Sequence, residues 1–309
     1  RIEWFVWAQT FAYLITILVT FLIVSSKAKL NRLQWNPKFF LIILKQSYPF
    51  AILILLMTFY NRIDSVMLER LLPNGAEQAG IYAQSYRLLD ASNMIAYLFS
   101  GLLLPMFSQM IKKKQPLEEL VELSFSFIAI PAITVISFCF FFSQDIMGLL
   151  YHAHVVESAA VFRLIMSCFL AISSVYIFGT LLTANGNLKY LNLVAMSGMI
   201  MNIALNLILI PKMQSLGAAT ASMTTQFITA GLQIWLAHRV FHFKFQWNLG
   251  LRYLLFIGLS FGIFYFLHST EGHWMMKGML GVAACFMISL LLYLIRPREL
   301  VKLIKSEKA

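Results

Sequence analysis

The sequence is poor in charge. Charged residues make up 12% of its 309 residues, about half the share of roughly 25% that is usual in soluble domains. Apolar residues reach 60%, and the mean hydropathy is +0.77. A soluble chain of this length needs a polar surface that this composition does not supply. The composition therefore excludes a soluble globular enzyme, a disordered protein and a coiled coil, and it predicts an all-α, polytopic membrane protein.

Cysteine is also scarce. The three cysteines, Cys139, Cys168 and Cys285, each lie alone inside an apolar run. This arrangement offers neither a disulfide framework nor a zinc site, so we expect three buried, inert thiols. The sequence also lacks a G-x-x-x-x-G-K-[ST] motif, which excludes ATP hydrolysis through a P-loop. We predict no metal, no cofactor and no enzymatic reaction.

Long apolar runs, in contrast, fill most of the chain. A helix needs about 20 mostly apolar residues to cross a bilayer. Nine runs meet this requirement, at residues 4–24, 39–68, 79–111, 117–142, 159–184, 190–210, 216–237, 252–268 and 275–295. The second and third runs are longer than a crossing needs, so we expect them to tilt or to project beyond the hydrocarbon.

The net charge of +11 comes from basic residues in alternate short loops, which indicates membrane topology rather than nucleic-acid binding. Seventeen Lys and Arg residues lie on one side of the predicted membrane and four on the other; the rich side comprises segments 25–45, 112–114, 189, 239–252 and 296–308. Basic loops stay in the cytoplasm, so the C-terminus is predicted inside and, with nine spans, the N-terminus outside. We expect the basic tail, residues 298–308, to lie flat on the inner interface.

Polar side chains inside the second and third runs are the candidate functional residues, because ionisable groups are costly in hydrocarbon. In the second run, Asn61, Arg62 and Asp64 fall on one helical face. In the third run, residues spaced by three or four form one stripe, with Arg87 at its edge: Tyr82, Tyr86, Asp90, Asn93 and Tyr97. We expect this stripe to face another helix or a water-filled cavity.

A turn at residues 73–75, Pro-Asn-Gly, joins these two runs. It places Asp64 near the depth of Arg87, and Arg62 near the depth of Asp90, so that either ion pair can form. One interpretation is that such pairs only hold two helices together. The other is a binding site, since aromatic, amide and charged groups together suit a sugar or a pyrophosphate better than a bare ion.

Other polar patterns predict contacts between helices rather than chemistry. Asn202 and Asn206 are four residues apart in the sixth run, and we expect them to hydrogen bond between helices. Gly258 and Gly262 fit G-x-S-x-G, but a nucleophile elbow needs a strand and these residues lie within a span. The same residues fit G-x-x-x-G, so a close helix–helix contact is predicted there.

Several motifs, taken in order, resemble one family. The stretch Asn61 to Leu68, Asn-Arg-Ile-Asp-Ser-Val-Met-Leu, and then Ala79-Gly80-Ile81-Tyr82 resemble the centre of bacterial polysaccharide flippases. These are the O-antigen or Wzx-type members of the multidrug/oligosaccharidyl-lipid/polysaccharide exporter superfamily. Further marks follow at Pro105 with Ser108, residues 181–186, Asn202 with Asn206 before Pro211, and residues 217–219. The resemblance covers residues 40–240, and its specificity lies in the order and spacing of the motifs.

The resemblance implies two six-helix lobes followed by two extra helices. Residues 1–38 would then be the last helix of an N-terminal lobe with a basic inner loop, residues 39–237 a six-helix C-terminal lobe, and residues 238–309 two extra helices with a basic tail. On this basis we expect the chain to be part of a longer protein with five further helices upstream.

The resemblance also implies that the first two helices of the lobe line a central cavity. Arg62 and Arg87 would hold phosphate, the tyrosines would stack on sugar, and Asp64 or Asp90 would carry a coupling H⁺ or Na⁺. The implied partners are a polyprenyl-pyrophosphate-linked glycan and membrane lipid.

The implied activity is translocation of a lipid-linked oligosaccharide or polysaccharide precursor across the bacterial inner membrane by alternating access. A drug/cation antiporter of the same superfamily is the main alternative, because the acidic and basic residues of the two runs are balanced. A flippase for the peptidoglycan precursor is a further variant. A membrane-embedded glycan polymerase fits less well, because the outer loop 143–158 contains only Asp145 and Glu157 as carboxylates.

Overall fold

The computed structural model describes residues 2–27, 36–243 and 247–294, and within these ranges all regular secondary structure is helical. The helices are α1 (Ile2–Lys27), α2 (Pro37–Leu71), α3 (Gly75–Lys112), α4 (Glu118–Phe141), α5 (Ser143–Leu150), α6 (Val155–Ala184), α7 (Leu188–Phe241), α8 (Trp247–Ser269) and α9 (Trp274–Leu291). The predicted all-α fold is confirmed. The basic tail and residues 28–35 of the first basic segment lie outside the described residues.

The chain divides into two compact units, residues 1–48 and 49–309. The first unit contains α1 and the beginning of α2. In α1 the hydroxyls of Thr10 and Thr16 donate to the carbonyls of Val6 and Ala12, each four residues earlier. This local bonding satisfies hydroxyl groups within an otherwise apolar helix.

Within the described residues, eight helices are long and apolar enough to cross a membrane. One of them, α7, is 54 residues long and contains both the sixth and the seventh predicted runs. Nine crossings follow if each half of α7 makes one, which agrees with the predicted number of spans. At a rise of about 1.5 Å per residue, α2 and α3 extend well beyond a hydrocarbon core of about 30 Å, as their predicted lengths required.

Helix α7 folds back on itself at Gln214, whose φ of 54° is not helical. We call residues 188–213 its first arm and residues 215–241 its second arm. The arms pack closely, since a Cβ added at Gly198 would lie 2.6 Å from Cγ2 of Thr229. At the fold-back, a Cβ added at Gly217 would lie 2.4 Å from the carbonyl oxygen of Leu209, so the turn requires glycine there.

A second tight turn joins α2 to α3, at the position that the Pro-Asn-Gly sequence predicted. A Cβ added at Gly75 would lie 2.3 Å from the carbonyl oxygen of Glu69. Only glycine permits this approach of two backbones. The turn directs α3 back along α2 and so brings the two polar helices together.

The core of the second unit lies among α3, α4, α6 and α7. The most apolar stretch is 67% buried in α4 and 61% in α6, against 17% in α3. Helices α4 and α6 are therefore central, whereas α3 keeps one long face open. The three cysteines are buried and free, as predicted.

Helices α8 and α9 pack against α4 around Phe256, Phe264 and Cys285. The close contact is made by α9, where a Cβ added at Gly281 would lie 2.2 Å from the ring of Phe264. Apart from the backbone of α8 itself, no described atom lies within 4 Å of a Cβ added at Gly258 or Gly262. The predicted G-x-x-x-G contact is thus wrong: its spacing permits close approach, but the face of α8 that packs on α9 is the one carrying Phe264.

Candidate functional site

A cavity of about 300 Å³ lies between α2, α3 and α6 in the second unit. It combines aromatic, amide and charged side chains with a few apolar ones. The lining residues are Thr58, Asn61, Arg62, Tyr86, Asp90, Asn93, Met94, Tyr97, Ile172 and Tyr176. Six of the nine predicted site residues line this cavity together: Asn61, Arg62, Tyr86, Asp90, Asn93 and Tyr97.

Arg62 and Asp90 form an ion pair across the cavity wall. Nη2 of Arg62 donates to Oδ2 of Asp90 at 2.9 Å. The guanidinium also lies over the ring of Tyr86, 5.1 Å from the ring centroid, in a cation–π contact. Of the two ion pairs that the sequence allowed, this one forms. Arg87 is exposed and is not among the residues that line the cavity.

The other end of the cavity is aromatic. The rings of Tyr97 and Tyr176 meet edge to face, with their centroids 6.0 Å apart. Beside them, Oδ1 of Asn93 is buried and has no hydrogen-bond partner among the described residues. A buried carbonyl without a donor is costly, and Asn93 lines this end of the cavity together with the two tyrosines.

Asp64 lies outside the cavity, in a separate buried network. Its side chain accepts three hydrogen bonds from three different helices or arms. Tyr82 donates to Oδ2 at 2.7 Å, Ser222 donates to Oδ2, and Asn206 donates to Oδ1 at 2.5 Å. Asp64 is only 1% exposed, so this network compensates much of the cost of burying a carboxylate.

The asparagine pair extends this network along the first arm of α7. Nδ2 of Asn206 also lies 3.0 Å from Oδ1 of Asn202, while Oδ1 of Asn206 is buried without a partner among the described residues. The predicted interhelical hydrogen bonding is confirmed for Asn206, which bonds Asp64 of α2.

Two contacts connect the buried network to the cavity. Tyr82, which bonds Asp64, stacks on Tyr86, which lines the cavity, with ring centroids 5.6 Å apart. On the second arm of α7, the amide of Gln226 accepts from Tyr60 and donates to Asn61, both at 3.0 Å. Asn61 lines the cavity, so the second arm contacts the cavity wall through Gln226.

The residues that sequence reasoning missed lie mainly on this second arm. Ser222, Gln226, Thr229 and Gln233 are buried and follow one another at spacings of four, three and four. Their spacing places them on one helical face, but serine and threonine can also bond their own helix, so this spacing is a weaker signal than the charged stripe of α3. Tyr176 is the one tyrosine of the largely apolar helix α6, so no repeated spacing pointed to it.

Metal-binding clusters are absent from the described part of the chain, where no group of three or more His, Cys, Asp and Glu residues could hold a metal. His154, which directly precedes α6, instead bonds Glu157 at 2.8 Å and lies 3.4 Å from Glu77.

The fold and the site define a multi-pass integral membrane protein with a polar cavity in its second unit. Residues 1–111 match the model of a family described as polysaccharide biosynthesis protein. The matched part contains α1, α2 and all but the last residue of α3, and hence all nine predicted site residues. This match supports the resemblance to polysaccharide biosynthesis proteins over residues 1–111. Comparison with curated proteins gives no match.

Proposed function

We propose that this protein moves a lipid-linked oligosaccharide or polysaccharide precursor across the bacterial inner membrane by alternating access. The observation that carries this proposal is the cavity itself, where one arginine, one carboxylate, two amides and three tyrosines share about 300 Å³. These groups suit a phosphorylated sugar. The family match of the helices that carry most of them supports the same class of substrate.

Within this proposal the two ends of the cavity have different roles. Arg62 binds the pyrophosphate, because a guanidinium forms strong charge-assisted hydrogen bonds with phosphate oxygens. Tyr97 and Tyr176 contact the first sugar, and Asn93 accepts a hydrogen bond from one of its hydroxyls. The polyprenyl tail stays in the bilayer, so no covalent bond is made or broken.

Asp64 is the proposed carrier of the coupling ion, either H⁺ or Na⁺. Its carboxylate, the hydroxyls of Ser222 and Tyr82, and Oδ1 of Asn206, which has no partner among the described residues, are all oxygen ligands. Hard cations prefer such ligands. An ionisable residue buried within a membrane helix is a functional candidate by default, and the stacked tyrosines place this one beside the cavity.

The function is tested by deleting the full-length gene and locating the lipid-linked glycan. We expect the precursor to accumulate on the inner face of the membrane while surface glycan disappears. Normal surface glycan would contradict the proposal. If glycan is normal and sensitivity to cationic drugs rises, the protein is a drug/cation antiporter, a candidate favoured by the buried carboxylate of Asp64.

The role of Arg62 is tested by complementing the deletion with single variants. Arg62→Ala should lower surface glycan about tenfold or more, since a charge-assisted hydrogen bond contributes about 1.5–3 kcal/mol. Arg70→Ala is the matched control, because Arg70 is an exposed arginine at the end of the same helix. Arg87→Ala asks whether this second arginine also holds phosphate. Full activity of Arg62→Ala at normal protein abundance would remove Arg62 from the mechanism.

A further inference from the structure

Arg62 and Asp90 are the charged residues of the cavity lining, and the other lining residues are neutral. Because they are paired at 2.9 Å, the protein itself already balances the charge that a phosphate would bind. One face of the guanidinium is also covered by Tyr86. The Asp90 carboxylate therefore competes with a phosphate for Nη2 and for the charge of the guanidinium.

The pair is built for such an exchange of partners. The side chains of Arg62 and Asp90 are 62% and 43% exposed, and exposed ion pairs are individually weak. In a membrane cavity, however, an arginine with no partner at all is costly. Exchange of one anion for another avoids that unpaired state when the ligand binds and again when it leaves.

We propose that Asp90 is an exchange counter-ion: it holds Arg62 before a diphosphate headgroup binds and takes Arg62 back as the headgroup leaves. Asp90 is thus a positioning residue that acts through Arg62. This inference rests on the proposed function, since it describes how the same cavity releases its ligand. The inference concerns both the affinity for the headgroup and the rate of its release: Asp90 weakens the binding and speeds the release.

The test measures affinity and transport separately. Farnesyl diphosphate is the probe of the headgroup, and its binding to the purified full chain in detergent is measured by isothermal titration calorimetry. Asp90→Asn should tighten binding about two- to fivefold, the effect of removing an exposed competing charge. In cells, the same variant should slow the appearance of surface glycan, because release becomes slower.

Two variants serve as controls. Asp145→Asn removes the same charge from an exposed position on α5, away from the cavity lining, and should change neither affinity nor transport. Asp90→Glu keeps the carboxylate and should recover most of the wild-type affinity and rate. A residue that only stabilised the fold would instead lose binding and transport together.

The outcomes distinguish the role of Asp90 from that of Arg62. Weaker or unchanged binding in Asp90→Asn overturns the counter-ion role. If Arg62→Ala loses binding while Asp90→Asn has no effect, only this inference fails and the phosphate role of Arg62 stands. If Arg62→Ala also leaves binding unchanged, the headgroup is not held at Arg62, and that part of the proposed function fails. If Asp90→Asn does not accumulate, the same measurements of affinity and transport are made with Asp90→Ser.

Discussion

Asp64 accepts hydrogen bonds from Tyr82, Ser222 and Asn206 while almost completely buried. Asp64→Ala would remove the shared acceptor of three donors, of which Asn206 keeps its bond to Asn202 and Tyr82 and Ser222 keep only each other. Each buried group that is left unpaired costs about 1–3 kcal/mol. Asp64→Asn retains the shape and one acceptor oxygen. We therefore predict that Asp64→Ala lowers the melting temperature of the detergent-purified protein clearly more than Asp64→Asn does.

Transport by these variants should not follow their stability. Asp64→Asn cannot bind a cation as a carboxylate does, so surface glycan should be lost although the protein accumulates. Tyr82→Phe, which removes one donor and leaves the charge, is the matched control for stability. Normal export by Asp64→Asn would assign the coupling ion to another residue.

At the scale of elements, the contact between the two arms of α7 positions the Asp64 network, because Asn206 lies on the first arm and Ser222 on the second. Gly198 makes this contact possible, and its neighbour Thr229 is buried and hydrogen bonded to the carbonyls of Thr225 and Gln226. We predict that Gly198→Leu separates the arms and lowers the melting temperature, since overpacking costs about 1–3 kcal/mol.

Gly258→Leu is the control for Gly198→Leu, because it makes the same change within a helix where no described atom outside the helix's own backbone lies within 4 Å of the added Cβ. It should be neutral or stabilising, since leucine favours helix over glycine. Combining Gly198→Ala with Thr229→Ala should recover stability that Gly198→Ala alone loses. Equal effects of Gly198→Leu and Gly258→Leu would mean that the arms are not held by this contact.

The polar stripes of α2 and α3 could be predicted from the sequence because charged and amide groups at helical spacing are too costly within a membrane to face lipid. The polar face of the second arm of α7 was harder to predict from the sequence. Its hydroxyl residues can bond their own helix, as Thr220 and Thr224 do four residues back, so Ser and Thr alone do not reveal a face. That Ser222 and Gln226 meet α2 depends on the fold-back at Gln214, which is a tertiary feature. The split between a cavity containing Asp90 and a buried network containing Asp64 depends on it too.

At the scale of the whole molecule, the membrane orientation predicted from the basic loops can be tested with single cysteines. The native cysteines Cys139, Cys168 and Cys285 are buried, so a membrane-impermeant maleimide should react little with the wild-type chain.

Asn74 and Lys113 are exposed and lie at opposite ends of α3. The full-length protein carrying Asn74→Cys should be labelled in cells whose inner membrane is intact and whose outer barrier is opened. Lys113→Cys should be labelled only after the inner membrane is permeabilised, because three lysines follow one another at 112–114 and basic loops stay in the cytoplasm. The reverse pattern would place Asp64, which lies nearer the turn at residues 73–75, toward the cytoplasm, and the proposed coupling ion would then enter Asp64 from inside the cell.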